Sequence, residues 1–150
     1  MNGYLLDTNI ISMLSPSRQH ATPEFLAWLD QMDASGKLFL SVVTIHEIEK
    51  GIALLELKGA EAKAAELRRW LMGLVAIYED RILPIDTAAA ACGGKLEAKA
   101  TASGHQPGIA DAAIAGIAKM HDLTIITQNL KHFAPFGIEV RDPNDALKQG

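Results

Sequence analysis

The chain has 150 residues, 49% of them hydrophobic and 21% charged, an ordinary composition for one globular domain. A chain of this length buries about two thirds of its unfolded surface without covalent staples, and its single cysteine, Cys92, excludes an intramolecular disulfide. A formal net charge of −4 argues against a bulk nucleic-acid binder with a basic face, unless acids gathered around a metal ion reverse the local field.

Tyr4 to Leu6 reads as a short buried strand ended by Asp7, and Thr8 or Asn9 as the cap of a helix carrying Ile10, Ile11 and Leu14. Thr22-Pro23-Glu24 starts the next helix, with Phe25, Leu26, Trp28, Leu29 and Met32 as its buried face and Ser35-Gly36 as its stop. Lys37 to Val43 is the second strand. Thr44 opens a helix whose Ile45, Ile48, Ile52 and Leu55 share a face, and Gly59 separates it from another carrying Leu67, Leu71, Leu74, Val75 and Tyr78. Arg81 to Asp86 is a third strand, followed by an Ala-rich helix to Ser103, expected to be weakened at Gly93-Gly94. Gly104 to Gly108 is a loop, Ile109 to His121 a small-residue helix and Leu123 to Thr127 a β-branched strand. A turn at Asn129 to Phe133 precedes a last strand, Ile138 to Arg141, and the final residues are expected to fray. Strands alternating with helices predict an α/β fold with a mainly parallel sheet. No basic segment precedes the first apolar run, and no run approaches the roughly 20 residues that span a bilayer. A cytoplasmic protein without a membrane partner is expected, which the lone cysteine suits.

Three acids recur at strand and helix ends. Asp7 closes the first strand, Glu47 lies one turn into the helix after the second, and Asp111 lies in the first turn of the small-residue helix. Each has an ordinary reading: Asp7 as a helix cap, Glu47 and Asp111 as solvated acids that the helix dipole favours by about 0.3–1 kcal/mol. Together they occupy the carboxyl side of a parallel sheet, where strand ends converge on one crevice. Carboxylates at close range repel by about 1 kcal/mol in water and about 4 at an intermediate dielectric, so the cluster calls for a cation. Oxygen donors select a hard one, Mg²⁺ or Mn²⁺. Other chemistries fit poorly. "HEIEK" has Lys50 where a zincin motif needs its second His, "CGGK" lacks the rest of a phosphate loop, and His20, His46, His105, His121 and His132 have no ligand spacing.

These residues resemble a PIN domain of the VapC/FitB type, the toxins of bacterial toxin–antitoxin pairs. "YLLDTNIIS" is similar to the family's opening strand and first acid, "SVVTIHEIEKGI" to its second block with Glu47, and "GIADAAIAGIAKMHDLTIITQNLKHF" to its third and fourth with Asp111. The resemblance covers nearly the whole chain and implies a single domain over residues 1–150, a three-layer α/β/α sandwich with a sheet of about five strands. It implies a metal-dependent endoribonuclease in which Asp7, Glu47 and Asp111 are catalytic and hold Mg²⁺ or Mn²⁺, with water as nucleophile and 5′-phosphate and 3′-hydroxyl products. Many members carry a fourth acid where this chain has Asn129, and His132 stands where an Asp often precedes the Phe, so one ion is expected rather than two. Thr127, Asn129 and Asn9 are secondary candidates for the same cluster. The resemblance further implies an antitoxin whose C-terminal segment blocks the acids, a homodimer, and RNA tracked by basic residues; candidates are Arg68, Arg69, Lys119, Lys131 and His132.

Two alternatives stand beside this reading. One is a non-catalytic binding module of the same fold, which Asn129 favours. The other is a phosphoryl-transfer domain with a similar sheet, against which Asn9 counts, because a dehalogenase-type site needs an Asp two residues after its first.

Overall fold

The computed structural model describes residues 3–18 and 20–148. Strands β1 (Tyr4–Leu6), β2 (Leu38–Ser41), β3 (Ile82–Leu83), β4 (Thr124–Ile126) and β5 (Val140–Arg141) form a five-stranded sheet in the order β3-β2-β1-β4-β5, with every pairing parallel. Successive strand side chains point to opposite faces, so each face builds its own core. Leu5, Phe39, Ile125 and Val140 pack beneath helices α5 (Thr87–Ala102) and α6 (Ile109–Met120). Tyr4, Leu6, Leu38, Leu40 and Ile126 pack against α1 (Thr8–Met13), α2 (Pro23–Ala34) and α8 (Pro143–Lys148). The result is the expected three layers. Helices α3 (Val42–Leu57) and α4 (Glu61–Tyr78) pair through a smaller cluster of Ile52, Ala64 and Leu71. Among the described residues no helix is long and apolar enough to cross a membrane.

Several boundaries differ from the sequence expectation, and side-chain caps explain most of them. The cap of α1 is Asp7 itself, not Thr8 or Asn9: its Oδ1 accepts the Thr8 N–H at 2.8 Å. Strand β2 stops at Ser41 rather than Val43. The Ser41 hydroxyl accepts the Thr44 N–H at 3.3 Å, so Val42 and Val43 enter the first turn of α3 despite their β preference. The third strand shrinks to two residues because Glu79–Arg81 forms a 3₁₀ turn before it and Asp86 caps α5 after it, accepting the Ala89 N–H at 2.8 Å. The expected turn after β4 is a short helix, α7 (Leu130–Phe133). Helix α8 has no counterpart in the sequence expectation; Asp142 starts it by accepting the Asp145 N–H at 2.7 Å. The expected fraying concerns in part residues 149–150, which lie outside the described residues. Leu26 is 41% and Val75 39% exposed, because the stripes through Phe25, Leu29 and Met32 and through Leu67, Leu71 and Leu74 are narrow and leave them at the rim.

Helix α5 runs uninterrupted through Gly93-Gly94. Gly93 and Gly116 are where α5 and α6 touch backbone to backbone. A Cβ on Gly93 would lie 2.8 Å from the Ala112 carbonyl oxygen, and one on Gly116 would lie 2.7 Å from the Gly93 nitrogen and overlap the Ala89 oxygen. Gly94 faces open space. Gly116→Ala is therefore expected to cost about 1–3 kcal/mol or more by overpacking, whereas Gly94→Ala should stabilise by about 0.5–1 kcal/mol through helix propensity. Denaturant midpoints of the two variants check this; equal effects would mean that the helices do not meet at Gly116.

Candidate active site

The chain leaves β1 toward β2 and β3 on one side and returns to β4 and β5 on the other, so the strand order reverses between β1 and β4. In parallel sheets that reversal opens a crevice beyond the strand ends. Asp7 follows β1 there, and Thr127 follows β4. Asp7 is 7% exposed. Besides the Thr8 N–H on Oδ1, its Oδ2 accepts the Thr127 hydroxyl at 2.8 Å and the Asn9 amide at 3.2 Å. Thr127, fully buried, uses its whole hydrogen-bonding capacity: it donates to Asp7 and accepts from the Asn9 amide at 3.1 Å and the Asn129 N–H at 3.0 Å. Asn9 completes the tie by accepting the Gln128 N–H at 3.1 Å. The carboxylate is thus held in one orientation by the start of α1 and the end of β4 together.

Glu47 is exposed one turn into α3. The Thr8 hydroxyl donates to its Oε1 at 2.6 Å and lies 2.9 Å from the Thr44 hydroxyl. Because the Thr8 proton is committed to Glu47, Thr44 donates to Thr8. Asp111, in the first turn of α6, has its Oδ2 3.5 Å from Nδ1 of His132 on α7. All three acids line one cleft of about 450 Å³, together with Thr8, Asn9, Arg18, Asn129 and His132.

The electrostatics follow from burial. Desolvation raises the Asp7 pKa above 3.8 and outweighs the Thr127 and Thr8 hydrogen bonds that lower it; Glu47 raises it further, and His132 lowers it. Asp111 is likewise raised, first by desolvation and then by Asp7 and Glu47, against His132. The all-oxygen donor set, two of whose acids share a raised proton affinity, suits a hard divalent cation. Among the described residues no three His, Cys, Asp or Glu side chains are gathered closely enough to cage an ion; Mg²⁺ in general needs only one or two carboxylates and keeps much of its water. Asp7 and Asp111 are the residues that would hold it.

Other candidates separate spatially. Arg68 is 3.1 Å from both Glu49 and Glu56 and braces α4 against α3, away from the acids. Arg69 is exposed on α4, and Lys119 sits at the end of α6 opposite Asp111. Lys131 and His132 border the Asp111 side. Sequence reading missed Thr8, Thr44, Ser12 and Arg18. Thr8 and Ser12 carried a faint signal, since they lie one turn apart on the helix that follows Asp7; Arg18, in an irregular segment, carried none.

Fold and cleft define a parallel α/β/α protein with a carboxylate centre at its strand ends. The PIN domain family model matches residues 4–135, and the chain belongs to the PIN domain family. It is 33% identical to Toxin FitB of Neisseria gonorrhoeae over 139 residues, covering 93% of this chain and 96% of FitB. It is 34% identical to the plasmid stability protein StbB of Pseudomonas syringae pv. tomato over 143 residues, covering 95% and 99%. The crystal structure of FitAcB from Neisseria gonorrhoeae superposes with a TM-score of 0.80 at 33% identity, over 93% of this chain and 97% of that one.

Because the folded pKa of Asp111 lies above 3.8, its ionisation costs folding stability. The cost is absent below about pH 3.8, where the acid is protonated in both states. It grows as pH rises through the folded value and is complete above it. Asp111→Asn should therefore raise the thermal midpoint of the metal-free protein at neutral pH. The gain should vanish in acid; melting curves across pH check it, and a pH-independent gain would trace to packing instead.

Proposed function

We propose that this chain is a divalent-cation-dependent endoribonuclease and the toxin of a toxin–antitoxin pair. The observation that carries the reading is the convergence of Asp7, Glu47 and Asp111, from three separate elements, on one cleft in which Asp7 is buried and oriented. The similarity to Toxin FitB supports the toxin role. Asp7 and Asp111 would hold Mg²⁺ or Mn²⁺, with Glu47 completing the negative field. When bound, the ion would supply Lewis acidity at the phosphodiester and make water a better nucleophile. Thr127 and Asn9 hold Asp7 Oδ2 and the Thr8 N–H holds Oδ1, the Thr8 hydroxyl fixes Glu47, and His132 faces Asp111. No side-chain nucleophile is needed.

A second cleft, of about 280 Å³, adjoins the acids through Thr8, Arg18 and Glu47 and is floored by Ile48, Ile52, Leu55, Leu67 and Trp70. An apolar trough leading to carboxylates suits an antitoxin segment with apolar side chains and a basic end.

RNA cleavage in Mg²⁺ or Mn²⁺ against EDTA tests the activity. Replacing an outer partner of a metal ligand costs about 10–100-fold, so Asp7→Asn or Asp111→Asn should lose at least the larger factor while remaining folded. Wild-type rates in either variant would remove these residues from the site. Millimolar Mn²⁺ should also raise the thermal midpoint of the wild type; no shift would favour a non-catalytic module.

Asn129 lines the acid cleft, where the family resemblance implies a fourth acid. Asn129→Asp should tighten Mn²⁺ binding, since affinity follows ligand charge, and should lower the metal-free midpoint through repulsion of about 1 kcal/mol. Calorimetric titration decides it. Unchanged affinity would show that position 129 does not reach the ion.

A further inference from the structure

Gly108, Asp111 and His132 wall the acid cleft on one side, and behind that wall lies another cleft of about 290 Å³, lined by His105, Gln106, Pro107, Lys131 and Pro135. We propose that this second cleft is a phosphate subsite that holds the RNA strand next to the scissile bond; the inference rests on the nuclease reading above and names where its substrate lies.

Charge makes the first case. A phosphodiester that approaches Asp7, Glu47 and Asp111 meets three like charges, and a cation between the acids answers for only one position along the strand. The neighbouring phosphate needs its own counter-charge within one backbone step. Ion pairs take three arginines out of consideration, and Arg18 already lines the acid cleft itself. Arg68 is committed to Glu49 and Glu56, Arg81 to Asp33 and Arg141 to Glu139. Lys131 is exposed and makes no ion pair among the described residues; it shares its cleft with two imidazoles, the Gln106 amide and, on the side of the acids, the Asp111 carboxylate. Lys131, the Gln106 amide and the His105 imidazole are hydrogen-bond donors available to phosphate oxygens, whereas His132 already faces Asp111 through Nδ1 at 3.5 Å.

Shape makes the second. The cleft lies between two segments whose backbone is constrained. The His105 N–H donates to the Ala100 carbonyl at 3.0 Å, which folds the 104–108 loop back on the end of α5, and Pro107 and Pro135 stiffen the two walls. A subsite held open in advance loses little freedom on binding. The flank toward Trp70 differs in kind, since its floor is apolar. RNA and a partner segment would thus overlap only above the acids and leave them in opposite directions.

The test is binding of a labelled single-stranded RNA of mixed sequence to wild type and to the Lys131→Gln/His105→Gln double variant, in EDTA so that no cleavage intervenes, across a salt series. The double variant should bind on the order of tenfold more weakly, and the slope of log affinity against log salt should flatten by roughly 0.7 for each phosphate that is no longer neutralised. Its thermal midpoint and its Mn²⁺ affinity should match wild type. Lys131→Arg, which keeps the charge, should keep both slope and affinity. Wild-type affinity and slope in the double variant would overturn the subsite while leaving the nuclease reading intact, as would failure of Lys131→Arg to bind. If wild type binds and cleaves no RNA, the nuclease reading fails and this inference falls with it.

Discussion

The structure turns on a carboxylate buried at the end of its central strand. An ionised group with 7% exposure is tolerable only when its oxygens are bonded, and Asp7 obtains those bonds from Thr8, Asn9 and Thr127. Two of these donors open α1 and one closes β4, so satisfying the charge also locks β1 against β4 with Leu6 opposite Ile126. A slip of one residue would turn Asp7 to the opposite face and leave Thr127 and Asn9 unpaired. Fold register and site geometry are here one constraint. The hydrogen bonds still do not cancel the burial, since the Asp7 pKa stays raised, and that residue of unfavourable charge is what a cation would relieve.

Asp111 is placed by a different device. Its helix buries an unbroken stretch from Ile114 to Ala118, and Gly93 and Gly116 bring α5 and α6 into backbone contact. Packing this close leaves α6 little freedom to slide, so an acid in its first turn is held by the core below it. A helix N-terminus would by itself favour the carboxylate by about 0.3–1 kcal/mol. Desolvation first, then the nearby Asp7 and Glu47, push the Asp111 pKa upward, against His132, which lowers it.

Around this rigid centre the surface is divided. Helices α3 and α4 contribute Glu47 and an apolar trough, and their basic residue Arg68 is taken up in bracing the pair. The loop at 104–108 and α7 contribute Gln106, two imidazoles and the cation Lys131 beside Asp111. In an acidic chain with a net charge of −4, three arginines are held in structural pairs, while Lys131 at this flank makes no ion pair among the described residues.

The sequence by itself determined the alternation of strands and helices, the parallel sheet and the three acids as candidates. Each of these rests on local signals: β-branched runs, helical spacing, and acids adjoining strand ends. What it did not determine is where the elements stop. Ser41, Asp86 and Asp142 take helix N–H groups through side-chain bonds, and those bonds cut strands short or start helices against the propensity of the residues around them. Gly93 read locally as a weak point, because its value lies in the approach of a different helix, α6, which propensity cannot see. Likewise Thr8, Asn9 and Thr127 are ordinary polar residues in one dimension. Only the pairing of β1 with β4 brings Thr127 within 2.8 Å of Asp7 across 120 positions of sequence, and only the packing of α1 beside α3 puts Glu47 within reach of Thr8. Which of the three acids is buried, which stays exposed and which faces a histidine are tertiary facts, because burial and field depend on everything that packs around a group and not on its neighbours in the chain.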